Sequence, residues 1–138
     1  MTATITTAET RILAQTIWGE NRGGGYLGMQ SVCNAIMNRV KIGGWWGSTV
    51  MGVCLKPYQF SCWLRSDPNF PKLESITMTD ADFVMAVNIA KEAIASTLED
   101  VTGGADSYYS LSMATPPDWS ATAKYTVTVA GQKFYKTT

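Results

Sequence analysis

Glu20 is the residue in this sequence best placed for acid–base chemistry. On a helical wheel that starts at Ile12, Glu20 falls at about 80°, in the middle of the apolar face of the preceding residues. A carboxyl group there is partly desolvated, and the C-terminal end of a helix opposes its ionisation further. Both effects raise the pKa, which predicts a carboxylic acid able to donate a proton near neutral pH. In the alternative interpretation, the helix ends one turn earlier and Glu20 points into solvent.

Two aromatic segments suit the binding of sugars. Residues 57–63, PYQFSCW, place aromatic rings beside an amide and a hydroxyl group. Sugar rings have apolar faces and hydroxyl rims, and aromatic side chains with polar tips match both. Phe60 is better explained as core packing under a loop, whereas Gln59 and Ser61 fit a structural role as well as a binding one. A second aromatic pair, Tyr108–Tyr109, is explained as well by turn packing as by binding.

The composition excludes several other catalytic sites. The chain of 138 residues contains no histidine, so Ser-His-Asp units, Cys-His units and histidine-ligated zinc are not available. Three cysteines without a C-x-x-C pair are one short of an all-cysteine tetrahedral site. We therefore expect no metal and no other cofactor. The sequence leaves open whether Cys54 and Cys62 pair with each other.

The distribution of charged and apolar residues limits the classes of binding partner and the cellular location that the sequence predicts. Eleven basic and eleven acidic residues cancel, which gives no electrostatic basis for binding nucleic acid or an anionic membrane surface. The first residues lack the basic and apolar regions of a secretory signal, and no stretch reaches the roughly 18 apolar residues of a membrane span. These features predict a soluble protein made in the cytoplasm without a signal peptide.

The elements that position these residues are predicted to be helices followed by a small β element. A capping box at Thr6–Glu9 starts a first helix at Thr7, which ends near Glu20 because three glycines follow shortly after. Apolar residues at helical spacing mark a second helix from about Tyr26 to Val40. Asn38 and Arg39, at its end, are expected to satisfy buried carbonyl groups or the helix terminus.

Later in the chain, the signals are shorter. Ser48 is predicted to cap a short helix that ends at Leu55, and Thr79 a long one that ends near Leu98. The stretches 57–76 and 105–124 are predicted to be irregular. Residues 125–129 alternate with period two, and a turn at Ala130–Gly131 returns the chain as a hairpin. The whole chain, residues 1–138, is expected to form a single α+β domain.

Several segments, taken in order, resemble the SleB-type cell-wall hydrolase family in its compact Gram-negative and phage-associated form. They follow one another over nearly the whole chain, and the ordered set is specific although each piece alone is weak. The matching segments are Leu13–Gly23, Gly28–Val32 with Asn38–Val40, Val53–Trp63, Asp100–Ala105 and Gly131–Tyr135.

The resemblance implies a lysozyme-like α+β fold, mainly helical with a small C-terminal hairpin. It also implies cleavage of peptidoglycan after N-acetylmuramic acid, and it matches the family's catalytic glutamate to Glu20. Members often have histidines where this chain has Ser107, Tyr109 and Gln132, which puts their contribution to binding in doubt here. The residues that we assign to substrate binding are Gln30, Gln59, Ser61, Trp63, Tyr108 and Tyr109.

Three functions are compatible with these observations. The favoured one is a lytic transglycosylase, because closing a 1,6-anhydro ring needs no enzyme nucleophile. A hydrolytic N-acetylmuramidase would need a second carboxylate, for which Glu74, Asp106 and Asp118 are the candidates. The third is a non-catalytic module that binds peptidoglycan. In each case we expect a monomer acting on glycan strands in the periplasm, a setting compatible with a phage endolysin released by a holin.

Overall fold

The computed structural model describes residues 7–138. Over that range, helices occupy the first two thirds and a small sheet the last third. The helices are α1 (Ala8–Asn21), α2 (Gly25–Ile42), α3 (Val50–Cys54), α4 (Phe70–Ser75) and α5 (Ala81–Ile94), and the strands are β1 (Ser107–Ser110), β2 (Lys124–Val129) and β3 (Gln132–Lys136). Short 3₁₀ turns occur at Arg22–Gly24, Gly44–Trp46, Ser61–Trp63 and Asp118–Ala121.

Helix α1 begins and ends close to its predicted bounds. Thr7 is its N-cap, and the Thr7 side chain accepts a hydrogen bond from the Thr10 amide over 3.1 Å. Thr6, the first residue of the predicted capping box, lies outside the described residues. The helix ends at Asn21 and keeps Glu20 within its last turn. The alternative of an earlier end is therefore wrong.

The hydrophobic core lies where α1, α2 and α5 pack together. Large side chains there are fully buried, and each contributes about 1.5–3 kcal/mol through removal of apolar surface from water. The principal ones are Leu13, Ile17, Met29, Val32, Ile36, Phe83, Val87 and Ile89. Phe60 joins this core, as predicted, and Cys33, Cys54 and Cys62 are buried in it as free thiols.

Two predicted helix caps are off by one residue. Thr49 rather than Ser48 caps α3, since the Thr49 hydroxyl accepts from the Gly52 amide over 2.9 Å. Asp80 rather than Thr79 caps α5, since the Asp80 carboxylate accepts from the Phe83 amide over 2.9 Å.

Helix α5 is also shorter than predicted. It ends at Ile94 rather than near Leu98. Ser96 adopts a left-handed conformation, with φ 63°, and the Thr97 amide turns back to the Glu92 carbonyl. This is a Schellman ending formed without glycine, so the sequence carries no glycine to signal it.

Two elements lie in stretches predicted to be irregular. Helix α4 forms within 57–76, where Pro71 occupies a position in the first turn that suits proline. Strand β1 forms within 105–124 and pairs antiparallel with β3. Both elements are short, and their stability comes from distant partners rather than from local sequence pattern.

The three strands form an antiparallel sheet in the order β1-β3-β2. The predicted hairpin of β2 and β3 is confirmed, with Ala130 and Gly131 both at positive φ in the turn. Phe134 on one face packs against Ala35 of α2. The sheet is thereby fixed beside the C-terminal half of α2. No helix in the part of the chain that the structure describes is long and apolar enough to cross a membrane.

Candidate active site

Glu20 is half-buried in the last turn of α1, between the Ser61–Trp63 turn and strand β1. The Tyr108 hydroxyl donates a hydrogen bond to Glu20 Oε1 over 3.1 Å. Burial is the main influence on the Glu20 carboxyl and raises its pKa, and the negative charge of Asp67 acts in the same direction. Hydrogen bonds from Cys62 and Tyr108 oppose these effects without cancelling them. The raised pKa agrees with the direction expected from the helix.

Gly19 allows the Ser61–Trp63 turn to approach α1 next to Glu20. A Cβ atom at position 19 would lie 2.9 Å from Cys62 Cβ and 3.1 Å from Leu73 Cδ2. Contacts this short are not tolerated in a packed interior. The absence of a side chain at Gly19 is therefore what lets Cys62 reach the glutamate.

We expect Gly19→Ala to destabilise the protein and to lower its activity. Overpacking lowers the free energy of unfolding by about 1–3 kcal/mol, and the better helix propensity of alanine offsets up to about 1 kcal/mol of this loss. Urea denaturation should show a net loss of about 1–2 kcal/mol in the free energy of unfolding. Gly23→Ala is the matched control, because a Cβ there meets no atom within 4 Å. Equal stability of the two variants would contradict this account of Gly19.

Tyr108 connects Glu20 to a cavity of about 430 Å³. Its ring packs against Phe134, with the ring centroids 5.3 Å apart, and burial raises the Tyr108 pKa well above its ordinary value. The hydroxyl therefore stays protonated and acts as a donor. Aromatic rings, an amide and hydroxyl groups line the cavity together: Arg39, Trp45, Trp46, Gln59, Ser107, Tyr108, Trp119 and Thr137.

A second groove, of about 520 Å³, also lies near the C-terminal end of α1. Trp18 and Arg22 line it together with Lys72 and Asp80, and no residue of the 57–63 segment contributes to it. Glu20 has no described hydrogen bond to that lining. We therefore place the candidate site at the cavity that Tyr108 shares with Gln59.

The structure brings some of the predicted binding residues to this cavity. Gln59 lines it, as Tyr108 does. Trp63 does not line it; its ring is half-buried against the core, and its indole N–H donates to the Thr16 hydroxyl over 2.9 Å. Ser61 is exposed in the same 3₁₀ turn that brings Cys62 to Glu20. The aromatic segment and the glutamate are thus neighbours, as the site hypothesis requires.

Two other predicted binding residues lie elsewhere. The Gln30 side chain is buried and donates to the Glu99 carbonyl oxygen over 3.0 Å, so it fixes the chain after α5 rather than lining the cavity. Tyr109 points to the opposite face of the sheet from Tyr108 because successive strand residues alternate. There it stacks on Tyr135 with the ring centroids 5.8 Å apart.

Residues that were not assigned to the site complete the cavity wall. Arg39 is 6% exposed; its Nε donates to the Asp106 carbonyl oxygen over 2.6 Å. Its guanidinium lies 4.1 Å from the ring centroid of Trp46. The prediction that Arg39 satisfies a buried carbonyl is confirmed. Arg39 also lines the cavity. Two adjacent tryptophans between glycines, Trp45 and Trp46, are the feature of the sequence that could have indicated this wall.

The three other candidate carboxylates are not placed to react. Asp106 is fully buried, and its carboxylate accepts hydrogen bonds from the hydroxyls of Ser107 and Thr137, over 2.8 and 2.7 Å. Glu74 is exposed on α4 and Asp118 is exposed in a 3₁₀ turn. None of the three lines the cavity, and Glu20 itself reaches it through Tyr108. Among the described residues, Glu20 is the carboxyl group that the geometry favours.

Gln132, which stands where family members often have histidine, ties the sheet to α1. Its Oε1 accepts a hydrogen bond from Asn21 Nδ2 over 3.3 Å. Asn21 directly follows Glu20, and its amide is packed so closely that a Cβ at Gly28 would lie 2.8 Å away. Gln132 thus supports the end of the helix that carries the glutamate.

Fold and site together define a lysozyme-like α+β domain with a buried glutamate at the end of its first helix. A family model described as cell wall hydrolase matches residues 23–135. The chain belongs to the cell wall hydrolase family. Glu20 precedes the matched range, so its role rests on the geometry given above.

Solved structures share the fold. The catalytic domain of the germination-specific lytic transglycosylase SleB from Bacillus anthracis is 24% identical, with a TM-score of 0.71 over 99% of this chain and 100% of that one. The catalytic domain of the Bacillus cereus SleB protein is also 24% identical, with a TM-score of 0.66 over 93% of this chain and 89% of that one. No curated protein matches the sequence. These similarities establish the fold.

Proposed function

We propose that this protein is a peptidoglycan lytic transglycosylase that cleaves the bond between N-acetylmuramic acid and N-acetylglucosamine, with Glu20 as acid and base. The observation that carries the proposal is the half-buried Glu20 carboxyl group, hydrogen-bonded to Tyr108 at the edge of a cavity lined by tryptophans. Membership of the cell wall hydrolase family and the SleB-like fold support the same substrate.

The first step is protonation of the leaving oxygen. Because Tyr108 donates to Oε1, the neutral carboxyl group carries its proton on Oε2, from which it passes to the glycosidic oxygen. The C1–O bond breaks as an oxocarbenium-like state develops on the muramic ring. Tyr108 and Cys62 stabilise the carboxylate that remains, since both hydrogen bonds favour the ionised form.

The second step regenerates the acid. The Glu20 carboxylate accepts the proton of the C6 hydroxyl of the same muramic residue, whose oxygen then bonds to C1. The products are a 1,6-anhydro sugar and a new free hydroxyl on the other chain end, and no water is consumed. Hydrolysis by the usual pair would require a second carboxylate about 5–9.5 Å away. Glu74, Asp106 and Asp118 are not placed for that role, which supports the anhydro route. Asp67, whose charge acts on Glu20, is the carboxylate that a hydrolytic product would implicate.

Mass spectrometry of digested wall material tests the proposal. Purified peptidoglycan incubated with the protein should release fragments that end in 1,6-anhydro-N-acetylmuramic acid. Each is lighter than the corresponding hydrolytic product by the mass of one water, about 18 Da. A parallel digest in H₂¹⁸O should leave these ends unlabelled. Reducing ends that carry ¹⁸O would identify a muramidase instead, and intact wall with bound protein would identify a binding module.

The proposal places the action of the protein at the cell wall, as a monomeric single domain. Delivery to the wall by a phage or prophage lysis system is a corollary that the digest does not address. Lysis after expression together with a membrane-permeabilising holin, and its absence without the holin, would support that route.

A further inference from the structure

Arg39 carries an unused hydrogen-bonding group next to the cavity. The residue is 6% exposed, and among residues 7–138 its guanidinium is held by a hydrogen bond from Nε to the Asp106 carbonyl oxygen. Its Nη1 is fully buried and has no partner within residues 7–138. A buried guanidinium nitrogen without an acceptor is disfavoured, and such groups mark sites where a ligand supplies the missing partner.

The surroundings of Arg39 indicate what that partner is. The Trp46 ring lies over the guanidinium, and the ring centroid of Phe60 is 5.1 Å from the guanidinium carbon. Gln59 and Tyr108 share the cavity wall with Arg39. Burial lowers the pKa of the guanidinium, and the nearby negative charge of Asp106 acts in the opposite direction. A neutral acceptor oxygen with an apolar flank therefore fits better than a second carboxylate, whose charge would have no counterpart there.

We propose that Arg39 is a specificity-determining residue that donates a hydrogen bond to the acetamido carbonyl oxygen of an N-acetylhexosamine in this cavity. The inference rests on the proposed function for its substrate class, and adds the atom of the substrate that is recognised. An acetamido group offers a neutral carbonyl oxygen beside a methyl group, which matches the free nitrogen beside the indole rings.

Trp46, whose ring lies over the Arg39 guanidinium, is carried by a turn between two glycines. Gly43 and Gly47 flank this turn with φ of 69° and 109°, conformations that glycine adopts without strain. Trp45 at its tip is 65% exposed. The proposal requires the Trp46 ring to shift along the guanidinium, so that the acetamido oxygen reaches Nη1 and the ring flanks the methyl group.

Calorimetric binding of two tetrasaccharides tests the proposal. The probes are the tetramer of N-acetylglucosamine and its thioacetamido analogue, in which sulfur, a weaker acceptor, replaces each acetamido oxygen while the probe stays neutral. The intact protein should bind the oxygen form about 10-fold more tightly, the ratio expected for one hydrogen bond to a charged donor. Arg39→Lys should bring this ratio close to one, because a single ammonium cannot serve both Asp106 and the sugar.

The matched control is Arg22→Lys, since Arg22 also stacks on a tryptophan, Trp18, but outside the cavity. Its ratio should equal that of the intact protein. If Arg39→Lys does not fold, ¹⁵N NMR of the arginine side chains in the intact protein decides: the Arg39 Nη protons should become protected with the oxygen probe and not with the sulfur probe.

Equal affinity of the intact protein for both probes would overturn the proposal, as would an unchanged ratio in Arg39→Lys. A purely structural role of Arg39 would weaken binding of both probes alike. Because these measurements record binding, they remain informative if the wall digest shows no cleavage. In that outcome the proposed enzymatic function fails, while acetamido recognition by Arg39 is still decided by the ratio of the affinities for the two probes.

Discussion

Replacement of Glu20 by glutamine should reduce cleavage of peptidoglycan by about 10²–10⁴-fold, the usual contribution of a general acid. Glutamine has nearly the same shape and still accepts the hydrogen bond from Tyr108, but its amide is not acidic enough to protonate the leaving oxygen. The release of soluble fragments from purified wall material measures the rate. Binding of the variant to the same material, measured by sedimentation, should be unchanged.

Glu74→Gln is the matched control for this loss. It makes the same chemical change at an exposed position on α4, away from the cavity. Full activity of Glu74→Gln beside an inactive Glu20→Gln would assign the acid to Glu20. A Glu20→Gln variant as lytic as the parent would refute the mechanism, and a parent that binds but never cleaves would leave the binding module as the function.

Glu20→Gln also has an expected effect on stability. Burial raises the pKa of Glu20 in the folded state, so the ionised carboxylate that prevails at higher pH disfavours folding. Glutamine removes this cost, and the variant should melt at a higher temperature than the parent at neutral to alkaline pH. The difference should disappear at about pH 3, below the ordinary glutamate pKa of about 4.3, where both proteins are neutral at this position.

Local pattern was sufficient to predict the part of the site that lies on α1. The wheel position of Glu20 depends only on helical geometry, and the Thr7 cap and following glycines confine that helix to within about one residue. Desolvation and the raised pKa follow from the same pattern. Burial of Phe60 was likewise predictable from residue type, whereas the sequence left open whether Cys54 and Cys62 pair.

Tyr108 illustrates what local pattern does not contain. The strand that carries it is four residues long, and its place is set by pairing of Tyr108 with Phe134 and by the contact with Glu20, 88 residues earlier. No alternation of four residues predicts such pairings. The same holds for Arg39, whose position at the end of α2 was predictable but whose cavity neighbours come from five other segments.

Gln30 was assigned to substrate binding from its residue type, but its side chain is used within the protein. It stands in a segment that resembles the family and carries an amide suited to sugars, yet its side chain is used to hold the Glu99 carbonyl. Residue type predicts hydrogen-bonding capacity, and only the packing of α2 against the segment after α5 decides which partner uses it.

Tyr108→Phe should lower the rate at the pH optimum by about 10–100-fold, because it removes a hydrogen bond that stabilises the carboxylate formed as the proton leaves. The same hydrogen bond lowers the Glu20 pKa, so its loss raises that pKa further. The alkaline limb of the pH–rate profile, where the acid becomes deprotonated, should move to higher pH. Tyr125→Phe, which removes an exposed hydroxyl on β2, should leave both the rate and the limb unchanged.

Asp67→Asn should shift the same limb in the opposite direction. The negative charge of Asp67 raises the Glu20 pKa, and asparagine removes the charge while its side-chain oxygen can still accept from the Asn69 amide. General damage to the site would lower the rates of Tyr108→Phe and Asp67→Asn without separating their limbs. Opposite displacements therefore require that one group, Glu20, titrates in the reaction and that Tyr108 and Asp67 act through it. Limbs that coincide with that of the parent would show that the proton donor is another group.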